Sequence, residues 1–414
     1  MDQFERVVRI IEGSLEQPDC DWKTKLLRTE HGALKPLLAH AITVLSNAQP
    51  FANAIELDKF ANRIMLRAAP PWEGCSAWSP RAWSNSDDIR AAEWLQHLGV
   101  AVNTNIASQA VTAAAEEKAY HPVIEFLDRC KWDQQPRLAS WMTKYLGAKN
   151  DEYHSQVGRC SLIAAVARVR SPGSKVDTMP ILEGAQGLGK STLLRLLFEP
   201  WYSDEIADFG SKDAAMQLNG AWLIEISELD AMTRADAGRI KAFISRTTDR
   251  FRPPYGSRVI EQPRSCVFWG TTNSDGYLRD DTGGRRFWPV KVSRVDIEGI
   301  RAIRDQLWAE AQHAYAAGEK WWFQSQEVQT AASDEQRARY EGDPWDAMIG
   351  KFVATRTFVT IPEILTEVIN LPPGQWEQRE QTRVSRCLRS LGFERRQRRT
   401  GNDRVWGYRR MIGT

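Results

Sequence analysis

The sequence has no long apolar run and no regular spacing of cysteine or histidine. No stretch approaches the roughly 18–20 apolar residues that a helix needs to cross a bilayer. The opening residues, Met1 to Glu5, show no sign of a signal peptide. The 6 cysteines and 6 histidines form no C-x-x-C pair and no H-E-x-x-H, which argues against a zinc site and a disulfide framework. We therefore expect a protein of a reducing cytoplasm with no membrane partner.

The chain also has little net charge. Lys and Arg total 55 and Asp and Glu total 53, which gives +2 over 414 residues. That length predicts two to four domains of roughly 100–200 residues each. With 42% hydrophobic and 26% charged residues the composition is that of a folded protein, and wholesale disorder is excluded. Any nucleic-acid surface must come from a local concentration of charge.

The first third of the chain has mainly helical periodicity. Apolar residues recur at helical spacing over 4–11, 34–45 and 87–98, and residues 68–80 are rich in turn formers. This pattern predicts a mainly helical N-terminal domain over residues 1–120, without indicating its role. A second helical block is expected over residues 121–172.

After the break at Ser171-Pro-Gly-Ser-Lys175 short apolar runs alternate with helical stretches. Strands are predicted at 179–182, 222–226, 266–269 and 287–292, with helices at 192–198, 238–244 and 297–317. Such alternation is typical of an α/β domain with a largely parallel sheet, here over residues 173–325. A hinge near residue 341 then leads into a last domain over residues 340–414.

The segment from Gly184 to Ser191 fits the G-x-x-x-x-G-K-[ST] phosphate-binding loop, or Walker A motif, at every fixed position. A predicted strand enters it and a predicted helix leaves it, as a P-loop requires. Lys190 is expected to reach the β and γ phosphates of ATP, and Ser191 to bind Mg²⁺. The predicted nucleotide-binding residues are Gly184, Gln186, Gly187, Leu188, Gly189, Lys190, Ser191 and Thr192.

A nucleoside triphosphatase also needs a carboxylate at the end of a neighbouring strand, to hold Mg²⁺ and polarise water. The run from Trp222 to Glu228 supplies an apolar strand that ends in acid. Glu228 is our first choice for this role and Glu225 the second. The alternative is that one of them caps the next helix or pairs with an arginine.

Two further segments offer catalytic side chains. Asn273 follows the predicted strand at 266–269 and is placed to hold the attacking water or the γ-phosphate. Arg285 and Arg286 precede the next strand, and an arginine there can act as a finger that clamps phosphate oxygens. A surface arginine pair that binds a carboxylate is the alternative.

Two regions offer contacts to DNA. Residues 249–258 combine positive charge with aromatic rings, which suits nucleic-acid binding or support of the active site. Residues 376–414 hold 11 Arg against 4 acids, a net charge of +7. Predicted helices at 361–369 and 381–391, followed by a hairpin over 393–408, suggest a winged helix. A solvated basic face or a protein-docking module is the alternative. The candidate DNA contacts are Lys241, Arg250, Arg252, Tyr255, Arg258, Arg383, Arg386, Arg395, Arg396, Arg398 and Arg399.

Taken together, these residues resemble the virulence-associated protein E family of phages, prophages and pathogenicity islands, which is itself similar to superfamily 3 helicases. The resemblance runs from about residue 121 to 323. Its motifs are Tyr120-His-Pro, Trp132-Asp-x-x-Pro-Arg137, Glu183-Gly-x-Gln-Gly-x-Gly-Lys-Ser191, Glu225-x-x-Glu-Leu229, Ile240-Lys-Ala-Phe243, Arg252-x-Pro-Tyr255, Gly270-Thr-Thr-Asn273 and Gly284-Arg-Arg-Phe-Trp-Pro289.

The resemblance implies an α/β core of the P-loop, AAA+ or superfamily 3 type, in a bacterial host cell. It implies roles in hydrolysis for Lys190, Ser191, Glu228, Asn273, Arg285 and Arg286. The expected activity is an ATP- and Mg²⁺-dependent helicase or translocase on single-stranded or forked DNA, in a homo-oligomeric ring with a hexamer favoured, together with replication proteins. The alternative is a switch that hydrolyses ATP to load or block replication proteins without unwinding DNA.

Overall fold

A computed structural model describes residues 21–74, 78–206, 212–227, 229, 234–252, 258–278, 284–339, 344–400 and 403–410. The chain divides into two compact units. Unit one comprises Met1–Lys131 with Ala215–Trp222, and unit two comprises Trp132–Ala214 with Leu223–Thr414. Within the described residues, no helix is both long and apolar enough to span a membrane.

Unit one combines helices with a small sheet. Its elements are α1 (Leu38–Asn47), β1 (Ile55–Asp58), β2 (Arg63–Leu66), β3 (Arg81–Ala82), α2 (Asn85–His97), α3 (Thr104–Glu117) and α4 (Pro122–Arg129). The strands form an antiparallel sheet in the order β1-β2-β3. The expectation of a mainly helical region therefore missed this sheet, because its strands are at most four residues long and carry too little alternation to detect. The predicted helix at 4–11 lies outside the described residues.

The core of unit one is rich in tryptophan. Phe51 is buried and contacts Trp72, Trp83 and Trp94, with ring centroids 5.6, 6.5 and 4.8 Å away. The indole of Trp72 also donates to Asp87 in the first turn of α2, 3.2 Å away. This cluster accounts for part of the high tryptophan content, since large rings bury much apolar area in a small core.

Unit two is built on a parallel sheet. Its first elements are α5 (Trp141–Leu146), α6 (Glu152–Arg170), β4 (Met179–Glu183), α7 (Lys190–Phe198), β5 (Tyr202–Ser203), α8 (Lys212–Gln217, shared with unit one), β6 (Leu223–Ile226) and α9 (Arg234–Ile244). There follow β7 (Thr248–Phe251), β8 (Ile260–Pro263), β9 (Val267–Thr272), β10 (Phe287–Lys291), α10 (Ile297–Ala316) and α11 (Gln326–Ala338). Five strands pair in parallel in the order β10-β4-β9-β6-β5. The predicted α/β class with a parallel sheet is confirmed.

The strand order makes β4 a point at which the chain reverses direction across the sheet. From β4 the chain crosses to β5 at the far edge and returns through β6 to β9, which pairs with one side of β4. It then passes to β10 on the other side of β4. Open α/β sheets bind ligands at the carboxyl ends of the strands beside such a reversal. The loop that follows β4 occupies this place.

Strands β7 and β8 pair as an antiparallel hairpin beside the sheet. The hairpin is held by a buried ion pair in which Arg264 Nη2 donates to Asp249 Oδ1 at 2.7 Å. The Arg264 guanidinium also lies over the Phe243 ring, 4.3 Å from its centroid. Asp249, the one acidic residue of the basic segment 249–258, therefore stabilises the core.

The C-terminal part of unit two has its own apolar cluster, drawn entirely from residues 345–408. Its elements are α12 (Pro344–Val353), β11 (Phe358–Val359), α13 (Ile361–Glu367), α14 (Gln378–Ser390), β12 (Phe393–Thr400) and β13 (Asp403–Arg410). The strands form an antiparallel sheet in the order β11-β13-β12. The two helices and the hairpin that the sequence predicts here are present, while α12 and β11 were not anticipated.

Candidate functional site

The loop from Gly184 to Gly189 connects β4 to α7 and depends on its glycines. Gly187 and Gly189 adopt φ angles of +80° and +91°, a left-handed conformation that favours glycine. A side chain at Gly184 would meet the backbone oxygen of Val292 at 2.7 Å. The loop curls tightly at the carboxyl end of β4, with Gln186 and Gly187 exposed.

Lys190 begins α7, and its side chain is buried beneath the loop. The ammonium Nζ donates to the backbone oxygens of Gly184 at 2.6 Å and Ala185 at 2.9 Å, and to Asn273 Oδ1 at 3.0 Å. Desolvation lowers the pKa of Lys190, and the charge of Glu225 opposes that shift. One cation therefore links the loop to the residue that follows β9.

Glu225 lies in β6 and is 1% exposed. Its carboxylate accepts three hydroxyl hydrogen bonds, from Ser191 and Thr271 to Oε1 at 2.6 Å each and from Tyr202 to Oε2 at 2.5 Å. The donors come from α7, β9 and β5, so both carboxylate oxygens have fixed positions. Burial and the bond to Glu225 raise the pKa of the Tyr202 phenol.

The structure therefore brings Lys190, Ser191, Glu225 and Asn273 together at the carboxyl ends of β4, β6 and β9. Ser191 and Thr192 are exposed at the start of α7, where a ligand can reach them, and Leu188 is half-buried. Glu228, our first choice for the metal-binding carboxylate, lies outside the described residues. Glu225, our second choice, does lie in the described residues and accepts a hydrogen bond from Ser191.

Arg285 and Arg286 lie at the amino ends of the strands, opposite the loop. They precede β10, whose first residue, Phe287, pairs with Met179 at the start of β4. Five residues of parallel strand, at about 3.3 Å each, separate that end from the loop. Arg285 is exposed, and Arg286 Nε donates to Ser245 Oγ at 2.8 Å. The pair does not join the Lys190–Glu225 cluster of its own chain.

The DNA-contact candidates of the central segment occupy different environments. Lys241 is buried, with Nζ 5.4 Å from the centroid of the Phe287 ring. A buried ammonium is not available to a DNA phosphate, so this conformation does not support the role expected for Lys241. Arg250, Arg252 and Arg258 are exposed on or beside the β7–β8 hairpin, whereas Tyr255 lies outside the described residues.

The C-terminal candidates lie on α14 and β12. Arg383 stacks on Trp345, with its guanidinium carbon 3.8 Å from the ring centroid, and Arg386 is half-buried. These two arginines therefore contribute partly to packing. The β12 candidates, by contrast, are exposed: Arg395, Arg396, Arg398 and Arg399.

Sequence reasoning missed two groups of residues near the loop. Tyr202 and Thr271 donate to Glu225, and Thr271 belongs to the Gly270-Thr-Thr-Asn273 motif, which was a usable signal. Glu183, the residue before Gly184, is 1% exposed and accepts bonds from Tyr277 at 2.7 Å and from Arg339 Nε at 2.8 Å. Nothing in the sequence links Glu183 to a residue 156 positions away.

Comparison with known families supplies the classification. A model of the virulence-associated protein E-like domain matches residues 127–341, just over half of the chain. The chain belongs to this family. The match covers β4 to β10, the loop and the Glu225 cluster of this family member, and it ends just after Arg339.

Solved structures similar to the chain include apo structures of the NrS-1 C-terminal region. One is 13% identical, with a TM-score of 0.46, and the alignment covers 91% of this chain and 100% of that one. Another is 14% identical, with a TM-score of 0.42 and coverage of 86% and 96%. Comparison with curated proteins gave no match.

Proposed function

We propose that this family member is an ATP- and Mg²⁺-dependent DNA motor, a helicase or translocase that acts in the replication of a phage or mobile element. One observation carries the proposal. Two polar side chains at the start of α7 bond to side chains from distant parts of the sheet, Ser191 to Glu225 in β6 and Lys190 to Asn273 just after β9. A loop, a cation, a hydroxyl and a carboxylate together are what nucleoside triphosphate hydrolysis requires.

The residues present fit ATP and Mg²⁺. Backbone N–H groups of the glycine loop and the start of α7 suit phosphate oxygens, with Lys190 as the neutralising cation. The Ser191 hydroxyl and the Glu225 carboxylate are oxygen ligands of the kind that Mg²⁺ prefers. When bound, Mg²⁺ supplies positive charge to the β and γ phosphates. Thr271 and Tyr202 hold the Glu225 carboxylate in place.

Two further catalytic roles complete the proposal. We assign Asn273, whose Oδ1 accepts a hydrogen bond from Lys190, to orient the attacking water, and Glu228, from its place after β6 in the sequence, to polarise that water. Arg285 and Arg286 lie too far along the sheet to reach the loop of their own chain. Their position supports action on the site of a neighbouring copy, in a homo-oligomeric ring with a hexamer favoured.

The C-terminal domain is the proposed DNA-binding part. The element order α12-β11-α13-α14-β12-β13 and the three-stranded antiparallel sheet support a winged helix. Its exposed arginines suit phosphate contacts, which position a protein on DNA without reading sequence. The net charge of +7 over residues 376–414 supports the same role.

Substitution of Lys190 tests the ATPase assignment. Lys190→Ala removes the cation that stabilises the transferred phosphoryl group, so hydrolysis should fall to background while the fold persists. Lys291→Ala is the matched control, because Lys291 is an exposed lysine of β10 that pairs with Asp275 at 3.3 Å. A folded Lys190→Ala protein with normal hydrolysis would overturn the assignment.

A forked DNA substrate distinguishes the motor from the switch. ATP-dependent strand displacement by the wild-type chain, absent in Lys190→Ala, supports the motor. Nucleotide-dependent capture of a replication protein, with hydrolysis but no displacement and no movement along single-stranded DNA, would replace it with the switch.

A further inference from the structure

Trp406 is an exposed tryptophan in a basic hairpin. Its side chain is 55% exposed, whereas Trp141, Trp269 and Trp308 of the same unit are fully buried. The Arg395 guanidinium carbon lies 4.7 Å from the centroid of the Trp406 ring. An exposed ring of this size leaves apolar area in water, and the cation on it covers only part of that area.

The register of β12 and β13 shows what surrounds the ring. Directly paired residues lie on the same face of an antiparallel ladder, and successive pairs alternate between faces. One face holds the pairs Phe393–Arg410, Arg395–Tyr408, Gln397–Trp406 and Arg399–Arg404. Phe393 and Tyr408 are buried in the domain core, so this face runs from the core outward to an exposed stretch.

That exposed stretch carries positive charge. Arg395, Arg399 and Arg404 flank Trp406, and none of the four pairs on this face includes an acid. Glu394 belongs to the alternate set of pairs, opposite Arg409, and its carboxylate lies 2.8 Å from Arg396 of the same set. Among these paired positions, the face of Trp406 therefore combines an aromatic ring with three arginines.

We propose that Trp406 and Arg395 form a stacking site for an unpaired base where duplex DNA meets a single strand. This inference rests on the proposed function for DNA binding but not for ATP hydrolysis. Charge complementarity selects a polyanion, and a flat exposed ring among arginines is what stacking on bases requires. Bases within a duplex offer only their edges to a protein, so a free face exists only where pairing ends. Arg399 and Arg404 would then hold the phosphates beside that base.

Binding of full-length protein to three DNAs, measured by fluorescence anisotropy without nucleotide, tests the proposal. The DNAs are a blunt duplex, the same duplex with a single-stranded arm, and the single strand alone. Stacking on one base is worth roughly 5- to 150-fold in affinity. Trp406→Ala should lose that factor on the armed duplex and much less on the blunt one, and Trp406→Phe should recover most of it.

Trp322→Ala is the matched control. Trp322 is 46% exposed and has Lys320 Nζ 5.7 Å from its ring centroid, yet it lies outside the hairpin. Its removal should leave all three affinities unchanged. 2-Aminopurine at the first unpaired position gives a second readout, because wild-type protein should quench its fluorescence and Trp406→Ala should not.

The outcomes separate the two proposals. If the wild type binds the armed duplex and Trp406→Ala binds each of the three DNAs as tightly as the wild type does, the stacking site is wrong and DNA binding stands. If Trp406→Ala loses affinity equally for the blunt and the armed duplex, Trp406 stabilises the hairpin and does not stack on a base. This result would also overturn the stacking site. If the wild type binds none of the three DNAs, the DNA-binding part of the proposed function fails and the stacking site fails with it.

Discussion

The guanidinium of Arg339 lies against the carboxylate of Glu183, with Nε 2.8 Å from Oε1 and Nη2 2.9 Å from Oε2. Glu183 ends β4 directly before the glycine loop, and Arg339 follows the last residue of α11. Desolvation acts to lower the pKa of Arg339, but its bonds to Glu183 and the charges of Glu183 and Glu335 outweigh it, so the pKa lies above its ordinary value. The contact fixes the end of α11 to the strand that carries the candidate nucleotide loop.

Removal of Arg339 should strongly destabilise unit two. Arg339→Met leaves a buried carboxylate without its cation, which typically costs about 3–5 kcal/mol in free energy of unfolding. Adding Glu183→Gln should restore part of the loss, because the uncompensated charge is then gone. Urea unfolding measures both. Arg337→Met is the control. Arg337 pairs with Asp334 where both side chains are mostly exposed, so its removal should cost less than about 1 kcal/mol in free energy of unfolding.

Glu225→Gln should abolish Mg²⁺-dependent hydrolysis while ATP still binds. The amide keeps the shape of the side chain but loses the negative charge that would hold the cation near Ser191. Hydrolysis rate and nucleotide affinity, each titrated with Mg²⁺, measure the effect. Glu228→Gln provides the comparison: it should lower the rate without changing the Mg²⁺ requirement. If the two variants show exchanged behaviour, Glu228 is the metal-binding residue, as first expected from the sequence.

Arg285→Ala and Arg286→Ala should differ in effect. An arginine finger is worth on the order of 10³–10⁵ in rate, so loss of the finger should leave ATP bound but slowly hydrolysed. Arg285 is exposed, whereas Arg286 is bonded to Ser245. We therefore expect the larger rate loss from Arg285→Ala. Mixing that variant with Glu228→Gln should recover activity above the sum of the two, and no recovery despite proven subunit mixing would exclude action between subunits.

A chain ending at residue 343 should lose duplex DNA binding but keep DNA-independent ATP hydrolysis. It retains Arg339 and removes an apolar cluster that is complete within residues 345–408, so the sheet of unit two stays covered. The plot of log affinity against log salt concentration has a negative slope. For every DNA phosphate that the shortened chain no longer neutralises, this slope should become less steep by about 0.9 on B-DNA. Salt titrations of the full and shortened chains measure this, and equal slopes would contradict the C-terminal assignment.

Lowering the pH should reduce the stability of unit one, because Asp87 becomes protonated. Burial acts to raise the pKa of Asp87, but hydrogen bonds from Arg81 and Ser84 outweigh it and hold the pKa at about 2. Because the pKa of Asp87 is lower in the folded state than its ordinary value of 3.8, the ionised carboxylate stabilises the fold at pH values above 3.8. This stabilisation is lost as the pH falls toward 2. The loss of thermal stability caused by Asp87→Asn should therefore be full above about pH 5 and shrink to about half by pH 3. Glu93→Gln, an exposed acid of the same helix, should show no such trend.

The sequence by itself predicted the elements whose signal is local. The fixed spacing from Gly184 to Ser191, between an apolar run and a helix, was enough to place the loop and Lys190. The alternation of short apolar runs with helical stretches was enough to predict the parallel sheet. Fixed positions in a short motif need no tertiary information, because the backbone conformation of the loop is set by its own glycines. The same holds for the C-terminal hairpin, whose two strands are neighbours in sequence.

Only the tertiary structure decided which distant side chains meet. It brought Glu225 into contact with Ser191, through a strand order that brings β6, β9 and β4 together, and it joined Glu183 to Arg339. It also placed Arg285 and Arg286 at the amino end of β10, away from the loop, and buried Lys241, which the sequence treated as exposed. Charge and periodicity describe a residue and its neighbours along the chain, whereas burial and long-range pairing depend on how separate segments pack, and no local pattern records that.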